Sequence, residues 1–259
     1  MSERLRSSSD QALILVKALP HRSSNYFETV CCAGVGLDQK WRRQYPVPFR
    51  ILNDSQKFKR WSWIKYDFTA PKDDRRLESQ KVVPESIQVD GELKKAERAK
   101  FLAPLIREST KDAEGRDETL TLIRPSSIDF SWDRKSASEI ADEKRKHAAL
   151  ANQWSLFDKS AKPLTPCPYK FSFHWRSQSG TTHNHTCDDW ETSTAFATRL
   201  RSHRDELAAL TSLKATYENE YLPRGMAFAL GTHSRWEKTW LLVGVLRLDE
   251  HDTDQIELF

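Results

Sequence analysis

Residues 167–191 read CPYKFSFHWRSQSGTTHNHTCDDWE, and this stretch carries the clearest secondary-structure signal in the chain. In its first half polar side chains alternate with four aromatic ones, Tyr169, Phe171, Phe173 and Trp175. Alternation with a period of two is typical of a strand with one buried face. Serine and glycine in 177–180 predict a turn, and 181–187 predicts a returning strand. The stretch therefore predicts a β-hairpin.

The register of this hairpin decides which side chains share a face. A register in which Arg176 pairs with Thr181 sends the aromatic rings to the core and His183 and His185 to the polar face. A shift by one residue would place both histidines among the aromatic rings instead. We favour the first register, because it buries no unpaired imidazole.

The favoured register predicts a possible metal site. It gathers four side chains of the types that zinc prefers: His174, His183, His185 and Cys187. Their spacing is not that of a zinc finger, ribbon or knuckle, because there is no C-x-x-C pair. The alternative is a strand with ordinary surface histidines.

Carboxylates follow the hairpin directly. Two carboxylates between a strand and a helix can hold Mg²⁺ for phosphodiester cleavage, and a nearby histidine can act as the base. The candidates for such a catalytic site are His183, Asp189, Glu191 and His233. The alternative is structural: Asp188 as a helix N-cap with Glu191 three residues later resembles a capping box, and His233 would then lie in a hairpin turn.

A basic segment rich in aromatic residues lies in the first third of the chain. Residues 40–76 contain eleven Lys or Arg, four Asp and eight aromatic residues, Tyr45 and Lys72 among them. Phosphates require positive charge and unpaired bases require flat rings, so this composition favours nucleic-acid contact. The residues predicted to make it are Arg42, Arg43, Lys57, Lys59, Arg60, Trp61, Trp63, Arg75 and Arg76. The alternative is that the rings form a core and the charges a solvated rim.

The order of the predicted elements indicates an α+β protein. Residues 1–135 form a β-rich, basic and aromatic part, comparable in composition to an OB-like or PUA-like barrel. Residues 136–259 form an α+β part in which two hairpins flank helices. Residues 71–84 are expected to be a loop and 109–118 a linker, because both are polar and lack periodicity.

Composition limits the class of protein. The chain has 259 residues, a net charge of +4 and a mean hydropathy of -0.71. No apolar run approaches the roughly 20 residues that span a bilayer, and four cysteines are too few for a disulfide framework. These features favour a soluble cytoplasmic protein with no membrane partner.

Three functions remain open at this point. The leading one is a nucleic-acid-binding protein, DNA or RNA, that uses the basic N-terminal part. The second is a metal-dependent nuclease or related hydrolase, with Zn or Mg as cofactor and its site in the C-terminal part. The third is a protein-binding subunit of a larger complex.

Overall fold

This computed structural model describes residues 7–22, 28–155, 164–233, 236 and 239–250, without the side chains of 21, 22 and 149–155. The strands within these ranges are β1 (Ser8–Lys17), β2 (His21–Arg22), β3 (Glu28–Val35), β4 (Trp41–Val47), β5 (Ser62–Thr69), β6 (Ser79–Val82), β7 (Gln88–Glu92), β8 (Ile106–Arg107), β9 (Leu120–Ile123), β10 (Pro125–Arg134), β11 (Tyr169–Ser177), β12 (Thr182–Thr186), β13 (Met226–Thr232) and β14 (Trp240–Arg247). The α-helices are α1 (Lys95–Leu102), α2 (Thr110–Glu114), α3 (Ala137–Ser155), α4 (Trp190–His203) and α5 (Glu206–Ala215), and a π-helical turn, Thr216–Tyr221, follows α5.

The chain forms two compact units. One, the barrel unit, consists of Met1–Glu92 and Arg134–Pro168; the other, the C-terminal unit, consists of Leu93–Asp133 and Tyr169–Phe259. The chain therefore passes between the units three times. One passage, after Asp133, falls beside the boundary at residue 135 that the sequence indicated. The other two passages arise because β9 pairs with the distant strand β13, and this pairing joins Leu93–Asp133 to Tyr169–Phe259 in one unit.

Five strands of the barrel unit close into a barrel. They follow the order β1-β3-β4-β6-β5, and β5 pairs back onto β1. The β4–β6 pair is parallel and the other barrel pairs are antiparallel. Five strands in this order, closed with this single parallel pair, form the topology of the OB-fold. The barrel-like N-terminal part expected from the sequence is confirmed.

Strand β1 closes the barrel because it pairs on both edges. Its first half pairs with β5, from Ser8 to Leu13, and its second half pairs with β3, from Leu13 to Lys17. The two strands approach closely at Gly34, where a Cβ atom would lie 2.5 Å from the Leu13 carbonyl oxygen. A side chain at this position would force β3 away from β1.

A polar network fills one end of the barrel interior. Asp10 accepts hydrogen bonds from Arg42 Nε and Gln80 Nε2, both at 2.7 Å. Tyr66 links Gln80 to Gln44 through its hydroxyl. These hydrogen bonds link the polar side chains to one another, which allows them to lie inside a barrel, although the buried Oε1 of Gln44 accepts no hydrogen bond.

Helix α3 belongs to the barrel unit and contacts it through a buried carboxylate. Glu28 on β3 is 2% exposed and pairs with His147 Nδ1 of α3 and with Arg50, both at 2.6 Å. Burial by itself raises the pKa of Glu28, but the hydrogen bonds and charges of His147 and Arg50 lower it below its usual value. The carboxylate is therefore ionised and holds α3 to the barrel.

The C-terminal unit contains a sheet of order β10-β11-β12 and a sheet of order β14-β13-β9-β8. Aromatic rings form its core: Phe130 lies within 5.5 Å of Phe171, Phe173 and Tyr217 between ring centroids. Phe173 also packs against Phe228 of β13. The α+β class of this part, with hairpins β11–β12 and β13–β14 flanking α4 and α5, is confirmed.

Two sequence-based predictions about loops are wrong. The range 71–84 contains β6, and the range 109–118 contains α2. Strand β6 is only four residues long and pairs with β4 and β5, which are distant in sequence, so no local pattern marks it. Within the described ranges, no helix has the length and apolar character required to cross a membrane.

Candidate functional site

The β11–β12 hairpin adopts the register that is one residue away from the favoured one. Arg176 pairs with Thr182, Trp175 with His183 and Phe173 with His185. The reason is the turn: Ser177 is fully buried and extends β11, and its N–H donates to the Thr181 carbonyl at 2.9 Å. The turn therefore occupies 178–180, where Gly180 has a φ of +84°, and the predicted register is wrong.

The corrected register puts His183 and His185 beside an indole. The His183 ring stacks on Trp175 with centroids 4.2 Å apart, and Trp175 Nε1 donates to His185 Nδ1 at 3.1 Å. Burial lowers the pKa of His183, and burial together with the nearby His183 lowers the pKa of His185 to about 4. Both imidazoles stay neutral at pH 7, so their partial burial costs far less than burial of a charged group would.

The four predicted metal ligands are not brought together. His174 lies on the opposite, solvent-exposed face of β11. Cys187 is buried, its Sγ donates to Thr192 Oγ1 at 3.6 Å, and burial raises the pKa of its thiol, which keeps it protonated. The indole bond occupies Nδ1 of His185 and leaves the proton on Nε2. In the part of the chain that the structure describes, no three His, Cys, Asp or Glu side chains are grouped to hold a metal ion.

Asp189 acts as the N-cap of α4. Its Oδ1 accepts from the Glu191 backbone N–H at 3.1 Å, and its Oδ2 accepts from the Val245 N–H on β14 at 3.0 Å. The side chain is 1% exposed. Capping at this position is as the sequence suggested, but the cap is Asp189 rather than Asp188. Both carboxylate oxygens are engaged by the backbone, so Asp189 is not presented to a substrate.

His233 lies at the other end of β14 from this cap. It follows β13 directly, and Thr232 pairs with Trp240 at the start of β14. Val245 follows Trp240 by five steps along the strand, which corresponds to roughly 16 Å. The imidazole of His233 stacks on Trp236. The described contacts therefore do not gather His183, Asp189, Glu191 and His233 into one cluster.

Three of the five arginines predicted to bind nucleic acid are held by carboxylates. Arg42 bridges Asp10 and Asp38, Arg43 pairs with Glu78 at 3.2 Å, and Arg76 pairs with Asp74 at 2.5 Å. Burial opposes the charge of Arg42, but its two carboxylate partners raise its pKa. For Arg43, burial and the neighbouring Arg76 lower the pKa. These three guanidinium groups are part of the framework of the barrel.

The remaining predicted contacts differ in exposure. Trp61 is buried, Arg60 and Trp63 are half-buried, and Lys57 pairs with the exposed Asp54 at 2.8 Å. Lys59 and Arg75 are exposed. Trp61 is therefore a core residue, as the alternative interpretation of this segment expected, whereas the side chains of Lys59 and Arg75 are accessible to a ligand.

One outer surface of the barrel combines an exposed ring with exposed cations. Tyr45 on β4 is 44% exposed, and Lys81 on β6 is its direct partner in the sheet. The loop 70–78 joins β5 to β6 and ends directly before the strand that carries Lys81; its exposed side chains include Lys72, Asp73 and Arg75. We call this surface, formed by Tyr45, Lys81 and the loop 70–78, the barrel face. No sequence signal marked Lys81, because only the parallel β4–β6 pairing brings it beside Tyr45.

Family models cover both parts of the chain. The description "Domain of unknown function (DUF8757)" matches residues 102–259, which is more than half of the chain. The chain belongs to the DUF8757 family. A second model, "Domain of unknown function (DUF8758)", matches residues 8–108 and so includes the whole barrel. No curated protein matches the chain.

Proposed function

We propose that this DUF8757 protein binds single-stranded nucleic acid on the barrel face. The observation that carries the proposal is the OB strand order with an exposed Tyr45 ring on β4. OB barrels bind oligonucleotides across the second and third barrel strands and the loops beside them. In this chain those strands are β3 and β4, and the loop between the last two barrel strands is 70–78.

The chemistry of the barrel face supports a strand with unpaired bases. An exposed phenol ring offers a surface on which a base can stack, whatever its identity. Lys81, Lys72 and Arg75 supply positive charge for the phosphates, and the described residues include no ion-pair partner for any of them. Arg43 and Arg76 lie close to this surface, but Glu78 and Asp74 neutralise them.

The place of action in this proposal is the cytoplasm. All four cysteines are free thiols, as expected in a reducing compartment. The bound strand, DNA or RNA, is the proposed partner, and a further protein partner is compatible with it. No contact described above favours a nuclease reaction.

The test is binding of a fluorescent fifteen-nucleotide oligothymidylate or oligouridylate, measured by anisotropy. Three phosphate contacts predict that affinity falls with salt with a log–log slope of about -2. Tyr45→Ala removes the stacking ring and is expected to weaken binding by about 5-fold or more, whereas Tyr45→Phe retains it. Lys81→Glu should weaken binding further and flatten the salt dependence.

The matched control is Lys111→Glu, which makes the same charge change on exposed α2 of the C-terminal unit. It should reduce affinity much less than Lys81→Glu does. Circular dichroism melting checks that each variant is folded. Absence of binding at low salt would refute the proposal, and equal binding by wild type, Tyr45→Ala and Lys81→Glu would refute the barrel face as the site.

A further inference from the structure

In each unit, one aromatic ring stands out by its exposure among the residues whose side chains are described. Among the side chains that the structure describes, Tyr45 and Trp236 are the two aromatic residues with high exposure, 44% and 65%. Tyr45 belongs to the barrel face. Trp236 lies in the C-terminal unit, in the segment that joins β13 to β14, and the proposed function does not use it.

The backbone around Trp236 is held by hydrogen bonds. The His233 N–H donates to the Thr239 carbonyl at 2.9 Å, and the Thr239 N–H donates to the Trp236 carbonyl at 2.8 Å. The first bond continues the β13–β14 ladder beyond the Thr232–Trp240 pair, and the second joins Thr239 to Trp236, three residues earlier in the chain. The backbone of Trp236 is therefore anchored at the end of the β13–β14 hairpin.

The indole itself is oriented by a second ring. The His233 imidazole stacks on it with centroids 4.6 Å apart and an interplanar angle of 26°. Because one face of the indole is covered in this way, its 65% exposure comes mainly from the opposite face and the edge. An aromatic ring that is ordered before binding loses little conformational freedom when a ligand stacks on it.

We propose that Trp236 is a second stacking site, which takes an unpaired base of single-stranded nucleic acid on the face opposite His233. This inference rests on the proposed nucleic-acid binding and extends it to the C-terminal unit. Stacking on an aromatic side chain tolerates any base, so the site requires a flat, unpaired ring and no particular sequence. A tryptophan offers the largest ring surface of any side chain for this contact.

Fluorine NMR of protein labelled with fluorotryptophan tests the contact directly. The chain has nine tryptophans, and Trp236→Phe assigns the Trp236 resonance by its disappearance. Addition of the oligothymidylate is expected to shift this resonance, while the resonance of buried Trp175 stays in place. An unchanged Trp236 resonance at saturating oligonucleotide would overturn the inference.

Affinity gives an independent readout on the full chain. Trp236→Ala is expected to weaken oligothymidylate binding by about 5-fold or more, and Trp236→Phe by less. Leu207→Ala is the matched control, because Leu207 on α5 is exposed to the same extent, 66%, in the same unit, and it should bind as wild type does. Thermal unfolding checks that Trp236→Ala retains the fold.

The outcomes separate the two proposals. If the oligonucleotide binds and Tyr45→Ala weakens it while Trp236→Ala does not, the Trp236 site is wrong and the proposed function stands. If wild-type protein binds no oligonucleotide at low salt, both are wrong. Loss of affinity in Trp236→Ala together with a shifted Trp236 resonance supports the Trp236 site, and a loss of affinity in Tyr45→Ala as well supports both proposals.

Discussion

Trp175 donates its indole N–H to Nδ1 of His185 over 3.1 Å. This bond fixes the neutral tautomer of His185 that carries its proton on Nε2, because Nδ1 must act as the acceptor. A metal ligand needs a free nitrogen lone pair, and in this tautomer neither ring nitrogen offers one. The same hydrogen bond joins a side chain of β11 to one of β12, and it therefore stabilises the hairpin.

The first prediction concerns pH. The folded-state pKa of His185 is about 4, below the 6.5 of an unfolded chain, so the unfolded state binds the proton more tightly. The free energy of unfolding is therefore expected to fall as the pH falls from about 6.5 to about 4, by up to roughly 3 kcal/mol, and to be independent of this group at higher pH. Chemical denaturation at a series of pH values measures this change in the free energy of unfolding.

His185→Leu should flatten this pH dependence, because it removes the buried imidazole whose pKa is lowered. Titration of the imidazole by NMR gives the second readout. A His185 that titrates near pH 6.5 in the folded wild type would contradict the prediction.

The second prediction concerns the cap of α4. Asp189→Ala removes both the cap and the buried hydrogen bond from the Val245 N–H, so we expect a loss of about 2–4 kcal/mol of stability. Asp205 is the matched control, since it caps α5 by accepting from the Ala208 N–H at 2.6 Å but is itself exposed. Asp205→Ala should cost only about 1 kcal/mol. Urea denaturation compares the two, and equal losses would argue against the double role of Asp189.

The third prediction concerns Arg42. Its guanidinium bridges Asp10 inside the barrel end and Asp38 outside it, so Arg42→Ala is expected to lower stability by about 2 kcal/mol. Arg42→Lys should not restore it, because an ammonium group lacks the planar fork that reaches both carboxylates. Asp38→Asn, at a side chain that is 46% exposed, should cost less. A fully stable Arg42→Ala variant with weakened oligonucleotide binding would show a ligand contact instead.

The fourth prediction concerns a buried ion pair in the C-terminal unit. Asp249 is fully buried and lies 3.2 Å from Arg98 and 2.6 Å from Arg247. Asp249→Ala removes the buried carboxylate that pairs with both guanidinium groups, and we expect a loss of about 3–5 kcal/mol. The exposed pair of Arg116 and Asp112 is the control, and Arg116→Ala should leave unfolding nearly unchanged. Similar midpoints for the two variants in chemical denaturation would contradict the prediction.

Local pattern was sufficient for much of the fold. The alternation in 169–177 predicted β11, and the glycine at 180 predicted the turn. The sequence also predicted a second hairpin and a helix N-cap after the first one, although the cap is Asp189 and not Asp188. Each of these features depends on residues that are close together in the chain, so the local sequence pattern is enough to predict it.

The candidate sites depended on strand register and on ion pairs between distant residues, which the periodicity of the sequence does not reveal. A difference of one residue in the turn moved His183 and His185 to the aromatic face, because side-chain direction reverses at every residue of a strand. The basic composition of 40–76 did not reveal that Arg42, Arg43 and Arg76 each pair with a carboxylate. Three of these partners, Asp10, Asp38 and Glu78, lie outside the segment.

The sequence by itself determined the α+β class, the hairpins and the surplus of positive charge near the N-terminus, because these follow from composition and short-range pattern. Only the tertiary structure decided how β1 closes the barrel, which arginines are neutralised and that Lys81 stands beside Tyr45. Those results come from pairing between strands distant in the chain, and such pairing depends on the packing of the whole unit rather than on any one segment.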